Sequence, residues 1–143
     1  HLCAAATTAL FIQLALGATL RHKALGLGPH LVWAGVASML VGWVCFRAIT
    51  ELGEQPGLQK LARLVGAILV VQLGLGGASY FLQAMTRQAV QPQSSVVVIT
   101  TVHLAVGALL LSGSLVLTLL AYRRQAVCRK VPALTGSPQR TLA

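Results

Sequence analysis

Four long apolar runs separated by short polar stretches lay out this chain of 143 residues. Residues 2–20 carry no formal charge. At about 1.5 Å per residue they span roughly 29 Å, the thickness of one hydrocarbon core. Arg21, His22 and Lys23 close that run, and a turn containing Gly26, Gly28 and Pro29 leads into a second, at about residues 30–46. Pro29 suits the first turn of a helix, where its missing N–H leaves no bond unmade. Residues 47–63 form a polar connection holding both acidic residues, Glu51 and Glu54, with Pro56 and Gly57. A third run covers 64–85, a loop rich in Gln and Ser covers 87–95, and a fourth run covers 96–122, long enough to tilt or to project beyond a bilayer. The pattern predicts an all-α, integral membrane, up-and-down four-helix bundle over residues 1–124, followed by a basic, mobile tail over 125–143.

Within this pattern the chain repeats itself. Gln13-Leu14-Ala15-Leu16-Gly17-Ala18 in the first run matches Gln72-Leu73-Gly74-Leu75-Gly76-Gly77 in the third, at an offset of 59. His30 opens the second run and His103 lies near the start of the fourth, at an offset of 73. One helical hairpin, duplicated about a pseudo-two-fold axis along the membrane normal, accounts for both matches. The extra 14 residues are assigned to a longer second loop and an outward extension of the fourth helix. His30 precedes Arg47 by 17 residues and His103 precedes Arg123 by 20, so the two lie roughly 26 and 30 Å from the same boundary.

Composition supports the membrane reading. The hydrophobic fraction is 56% and the charged fraction 9%, against about 25% charged in soluble domains. The mean hydropathy is +0.78. A net charge of +9 invites a nucleic-acid reading, but the basic residues punctuate apolar runs instead of clustering on one face, so no nucleic-acid partner is expected. Lys and Arg number eight on the side of the chain termini (Arg47, Lys60, Arg63, Arg123, Arg124, Arg129, Lys130, Arg140) and three on the other (Arg21, Lys23, Arg87). The bias predicts a multi-pass protein of the cell (inner) membrane with both termini cytoplasmic and the histidines toward the outer face. Cys3, Cys45 and Cys128 have no metal-binding or redox spacing and read as small apolar side chains and a tail thiol.

Two histidines at matching depth on related helices are costly in a membrane and call for a common partner. Zinc fits poorly, because it takes three or four N, S or O ligands and no Cys, Asp or Glu is expected on the outer side. Haem iron needs only two axial ligands, which paired histidines supply. Ala34 and Gly107, one turn after each histidine, leave space on the same face for a flat macrocycle. Arg21, Lys23 and Arg87 lie at outer helix ends, where cations meet propionates, although ordinary interfacial anchoring explains them equally well. His22, whose counterpart in the repeat is Phe81, reads either as a secondary haem contact or as a solvated residue. For His30 and His103 the plainer reading is interhelical hydrogen bonding or a proton relay. The only carboxylates lie at the opposite boundary, and no nucleophile, acid–base pair or nucleotide motif is present, so redox chemistry would come from a cofactor.

The segment Gln-Leu-Ala-Leu-Gly-Ala-Thr-Leu-Arg-His at 13–22, Gly28-Pro29-His30, and Val102-His103-Leu104-Ala105 together resemble the carboxy-terminal half of the haem A synthase family. The resemblance covers roughly residues 2–124, and the order and spacing of its motifs carry it. It implies an eight-helix membrane enzyme of two similar four-helix halves that oxidises a methyl group of haem O to the formyl group of haem A for cytochrome oxidase assembly. The carboxy-terminal half would hold a haem b for electron transfer, with His30 and His103 on the iron. The amino-terminal half with its catalytic glutamate, and the outer-loop cysteine pairs of some members, are not in this sequence. The expected partners are therefore membrane lipid, haem, and a missing amino-terminal half of the same protein or a second copy of the chain. Two other readings stay open: a stand-alone bis-histidine membrane cytochrome b, and a haem-free membrane assembly or transport protein.

Overall fold

The computed structural model of the chain describes residues 1–22, 26–51, 56–86 and 93–130, apart from the side chains of 125 and 127–130. Four helices make up nearly all of it: α1 (Leu2–Arg21), α2 (Leu27–Glu51), α3 (Pro56–Met85) and α4 (Ser94–Lys130). All four are long and apolar enough to cross a membrane. In lipid only a structure that satisfies its backbone internally can span, and a helix does so within one segment. This is an all-α bundle and a multi-pass membrane protein.

The helices outrun the apolar runs that announce them. α2 continues past Phe46 to Glu51, where Arg47 donates to Glu51 through Nε and Nη2 at 2.8 and 2.7 Å along one helical turn. α3 begins at Pro56, a residue favoured in the first turn. The connection expected over 47–63 is thus mostly helical, because hydropathy marks where lipid is, not where a helix stops. α4 runs on to Lys130, so residues 125–130 belong to a helix and not to the mobile tail expected from 125. Residues 131–143 lie outside the described residues, as do Lys23, Glu54 and Arg87.

The hairpin repeat also extends differently from expectation. The repeat places the counterpart of Arg21 at Tyr80, yet α3 continues to Met85; it places the counterpart of Leu27 at 100, yet α4 starts at Ser94. Most of the 14 extra residues therefore lengthen both α3 and α4, and few are left for the connection. α3 and α4 carry 30 and 37 residues, or about 45 and 55 Å, and exceed a hydrocarbon core of about 30 Å.

Around the bundle, α1 packs on α2 and α4, and α3 packs on α2 and α4. α2 and α4, which carry the histidines, are diagonal partners. Packing is concentrated at one end. The residues buried there are Ala6, Ala9 and Leu10 on α1, Ala37, Val41, Val44, Cys45 and Ala48 on α2, Leu58, Ala62, Val65 and Leu69 on α3, and Leu110, Ser114, Leu117 and Thr118 on α4. Small residues let backbones approach there, as membrane interfaces require where lipid supplies no hydrophobic drive between helices. Ala62 is fully buried, and a Cβ on Gly113 would stand 3.0 Å from Val65 Cγ2. Thr7 Oγ1 joins Ser114 Oγ and Thr118 Oγ1, each at 2.9 Å, tying α1 to α4. Large apolar side chains such as Met39 (78% exposed), Val32 and Val70 (both 71%) point outward, where lipid covers them.

The other end is different. Between residues 11 and 36, and between 70 and 109, the one buried residue among those described is Ser79. The histidines lie in this loosely packed half.

Candidate functional site: two glutamine–glycine–histidine clusters

Each hairpin builds the same three-residue cluster. On α1, Gln13 and Gly17 are one turn apart and share a face; both meet His30 of α2. Gln13 Nε2 lies 3.3 Å from His30 Nδ1 and 3.2 Å from His30 Nε2, and it also donates to the His30 backbone carbonyl at 3.2 Å. A Cβ on Gly17 would stand 3.4 Å from His30 Cε1. On α3, Gln72 and Gly76 meet His103 of α4 with the same residue types and a looser amide contact. Gln72 Nε2 is 3.5 Å from His103 Nε2, and a Cβ on Gly76 would stand 3.2 Å from His103 Cε1. The 59-residue offset of the glutamines and glycines and the 73-residue offset of the histidines are thereby joined in one contact geometry. This is structural support for a duplicated hairpin.

The geometry at Gln13 determines what His30 can do. The two ring nitrogens present their lone pair or proton outward in the ring plane, on either side of Cε1. An atom almost equidistant from both, at this range, cannot lie in that plane without striking Cε1. Gln13 Nε2 therefore sits over the face of the imidazole, an N–H to π contact, and does not itself occupy the in-plane position at either nitrogen. At 3.5 Å the Gln72 contact is at the limit of a hydrogen bond. Gln13 Oε1, Gln72 Oε1 and His103 Nδ1 are buried without a partner among the described residues. Leaving such atoms unsatisfied costs about 1–3 kcal/mol each, so each calls for a physical explanation, whether strain, a water or ion, or a functional role.

The two imidazoles are half-buried and stand on diagonal helices. Trp33, three residues after His30, donates from Nε1 to the Ala9 carbonyl at 2.9 Å. It closes the site toward the packed end on the first hairpin. Ala34 is half-buried one turn beyond His30. Gly107 has a more specific role than leaving open space: a Cβ there would stand 2.9 Å from Gln72 Nε2, so the amide of Gln72 takes up the room expected for a macrocycle. Arg21 and His22 are exposed at the end of α1, with the His22 N–H bonded to the Ala18 carbonyl at 3.1 Å. They lie roughly 12 Å along the axis from Gln13.

Sequence reasoning placed the two histidines and missed the roles of the two glutamines. The signal was available, since each glutamine opens its copy of the repeat and is an uncharged amide in the middle of an apolar run. Among the described residues no group of three or more His, Cys, Asp or Glu side chains comes together, so a metal here would draw its protein ligands from the imidazole pair. The two imidazoles offer nitrogen ligands of the kind a haem iron takes, on diagonal helices whose packing relaxes at their level, with the Gln72 amide standing beside Gly107 on the second hairpin. Comparison of the chain with protein-family models, curated proteins and solved structures finds no match in any of the three.

Proposed function

We propose that this chain is the haem b-binding, carboxy-terminal half of a haem A synthase-like membrane oxidoreductase, serving electron transfer in the conversion of haem O to haem A. The observation that supports it most is the matched pair of clusters, Gln13–Gly17–His30 and Gln72–Gly76–His103, one on each hairpin in the loosely packed half. His30 and His103 would hold the iron, and Arg21 and His22 would meet propionates at the rim of that end. Bound there, a haem would supply reversible one-electron chemistry. The chain's own contribution is to hold two imidazoles in place, to close the site on the packed side with Trp33, and to surround it with apolar helices that limit water. Catalytic oxidation of the methyl group falls to an amino-terminal half or to a second copy, because the described carboxylate, Glu51, stands at the opposite end from the histidines. The charge bias supports cytoplasmic termini and an outer-facing haem site in the inner membrane.

A stand-alone cytochrome b is the second reading, and the same distance between Glu51 and the histidines favours it. Expression of the four-helix chain with ample haem, followed by a reduced-minus-oxidised spectrum and an assay for haem A, separates the two. Both haem readings require b-type bands. The synthase reading further requires that haem A form only when the amino-terminal half is supplied; haem A formation by no combination of halves would leave the cytochrome.

A further inference from the structure

Each imidazole is gripped at two places that together determine its rotation. Its Cε1 edge enters the notch left by a helix glycine, with Gly17 against His30 and Gly76 against His103. An amide one turn away on that same helix meets the ring, Gln13 for His30 and Gln72 for His103. Among the described residues no other polar side chain lies within hydrogen-bonding distance of either ring. A notch alone would let the ring pivot about its buried edge; an amide against the ring stops that pivot. Gln13 is itself anchored through the His30 carbonyl, while the amide of Gln72 is lodged over Gly107. Both glutamines keep a buried carbonyl oxygen with no partner, so they are held where they are by the ring and the opposite helix and not by a bond of that oxygen elsewhere in the bundle.

We propose that Gln13 and Gln72 are paired positioning residues, each setting, with the glycine one turn along its helix, the plane of the imidazole on its own hairpin. The inference deepens the two-histidine reading but concerns the rings themselves, so it has a consequence in the metal-free protein. It also has one in a haem-loaded protein, because the angle between two axial imidazole planes governs the anisotropy of a low-spin ferric signal. Neighbouring polar groups are a recognised means of orienting a metal-binding histidine ring.

The test uses Gln13→Met and Gln72→Met, which keep side-chain length and remove the amide, in the full chain in detergent. Circular dichroism and the thermal midpoint check that each variant folds. In metal-free protein labelled with 15N-histidine and assigned through single His→Ala variants, Gln13→Met is expected to shift the ring-nitrogen resonances of His30 and leave those of His103 in place. Gln72→Met is expected to do the reverse. In haem-loaded protein both variants are expected to retain the b-type absorbance while the largest g value of the ferric signal moves. Unmoved ring resonances, or resonances of both histidines moved equally by either variant, would overturn the proposal, as would an unmoved g value. If the unsubstituted protein takes up no haem, the proposed function fails and the nitrogen resonances alone decide the positioning role.

Discussion

The Cε1 edge of His103 faces Gly76 so closely that a Cβ at that glycine would stand 3.2 Å away, tighter than ordinary contact, whereas the same atom on Gly17 would stand 3.4 Å from His30. The two clusters are thus alike in design and unequal in tolerance. Gly76→Ala must push the imidazole by a few tenths of an ångström, and Gly17→Ala need not. Helix propensity favours alanine by about 1 kcal/mol at both positions, so neither variant is expected to unfold the bundle. A haem titration followed by absorbance is expected to show roughly tenfold weaker binding for Gly76→Ala, about 1.4 kcal/mol, and near-normal binding for Gly17→Ala. Equal losses would contradict this asymmetry.

Stability should respond to the same small change in opposite directions in the packed and the loosely packed halves of the bundle. A Cβ on Gly113 meets Val65, which is 1% exposed, at 3.0 Å. Overpacking of this kind costs about 1–3 kcal/mol, which exceeds the propensity gain. Gly74 and Gly77 have nothing within 4 Å of the added atom. Thermal unfolding in detergent is expected to place Gly113→Ala below the unsubstituted protein, and Gly74→Ala or Gly77→Ala at or above it.

The hydroxyl cluster of Thr7, Ser114 and Thr118 is a smaller contributor. Thr7→Val keeps the shape and removes two 2.9 Å contacts between α1 and α4. Interhelical hydrogen bonds in membranes average about 0.6 kcal/mol, so a loss near 1 kcal/mol is expected, read by steric-trap or denaturant unfolding. A loss of several kcal/mol would mean that the cluster organises the bundle instead of merely supporting it.

Arg21 and His22, exposed at the rim, should matter little to the iron itself. His22→Ala is expected to retain the low-spin spectrum and to weaken haem retention by a few-fold at most. Loss of the spectrum in His22→Ala with survival of it in His30→Ala would reassign the ligand.

Much of this was legible in the residues before any coordinates. Uninterrupted apolar runs of about twenty residues predict spanning helices because only a helix satisfies its backbone in lipid. The helix ends were not legible, since Arg47 and Glu51 bond to each other on a turn that hydropathy assigns to a loop. The matching depths of the histidines were legible from their spacing to Arg47 and Arg123. The part played by Gln13 and Gln72 did not follow: a glutamine in an apolar run can face lipid-exposed rim, neighbour helix or ligand, and only the packing of α1 on α2 and of α3 on α4 decides which. Gly17 and Gly76 were legible as places of close approach, but not as notches for the two rings. That the Gln72 amide stands beside Gly107 was not legible, because that side chain comes from another helix.

The central claim is that His30 and His103 together hold one haem. Its most direct measurement is a reduced-minus-oxidised absorbance spectrum of the purified chain, expressed with ample haem, beside His30→Ala and His103→Ala. The expected result is b-type bands in the unsubstituted protein and their loss in either single variant, with the thermal midpoint in detergent little changed. No b-type bands in the unsubstituted protein, or full bands in both variants, would contradict it.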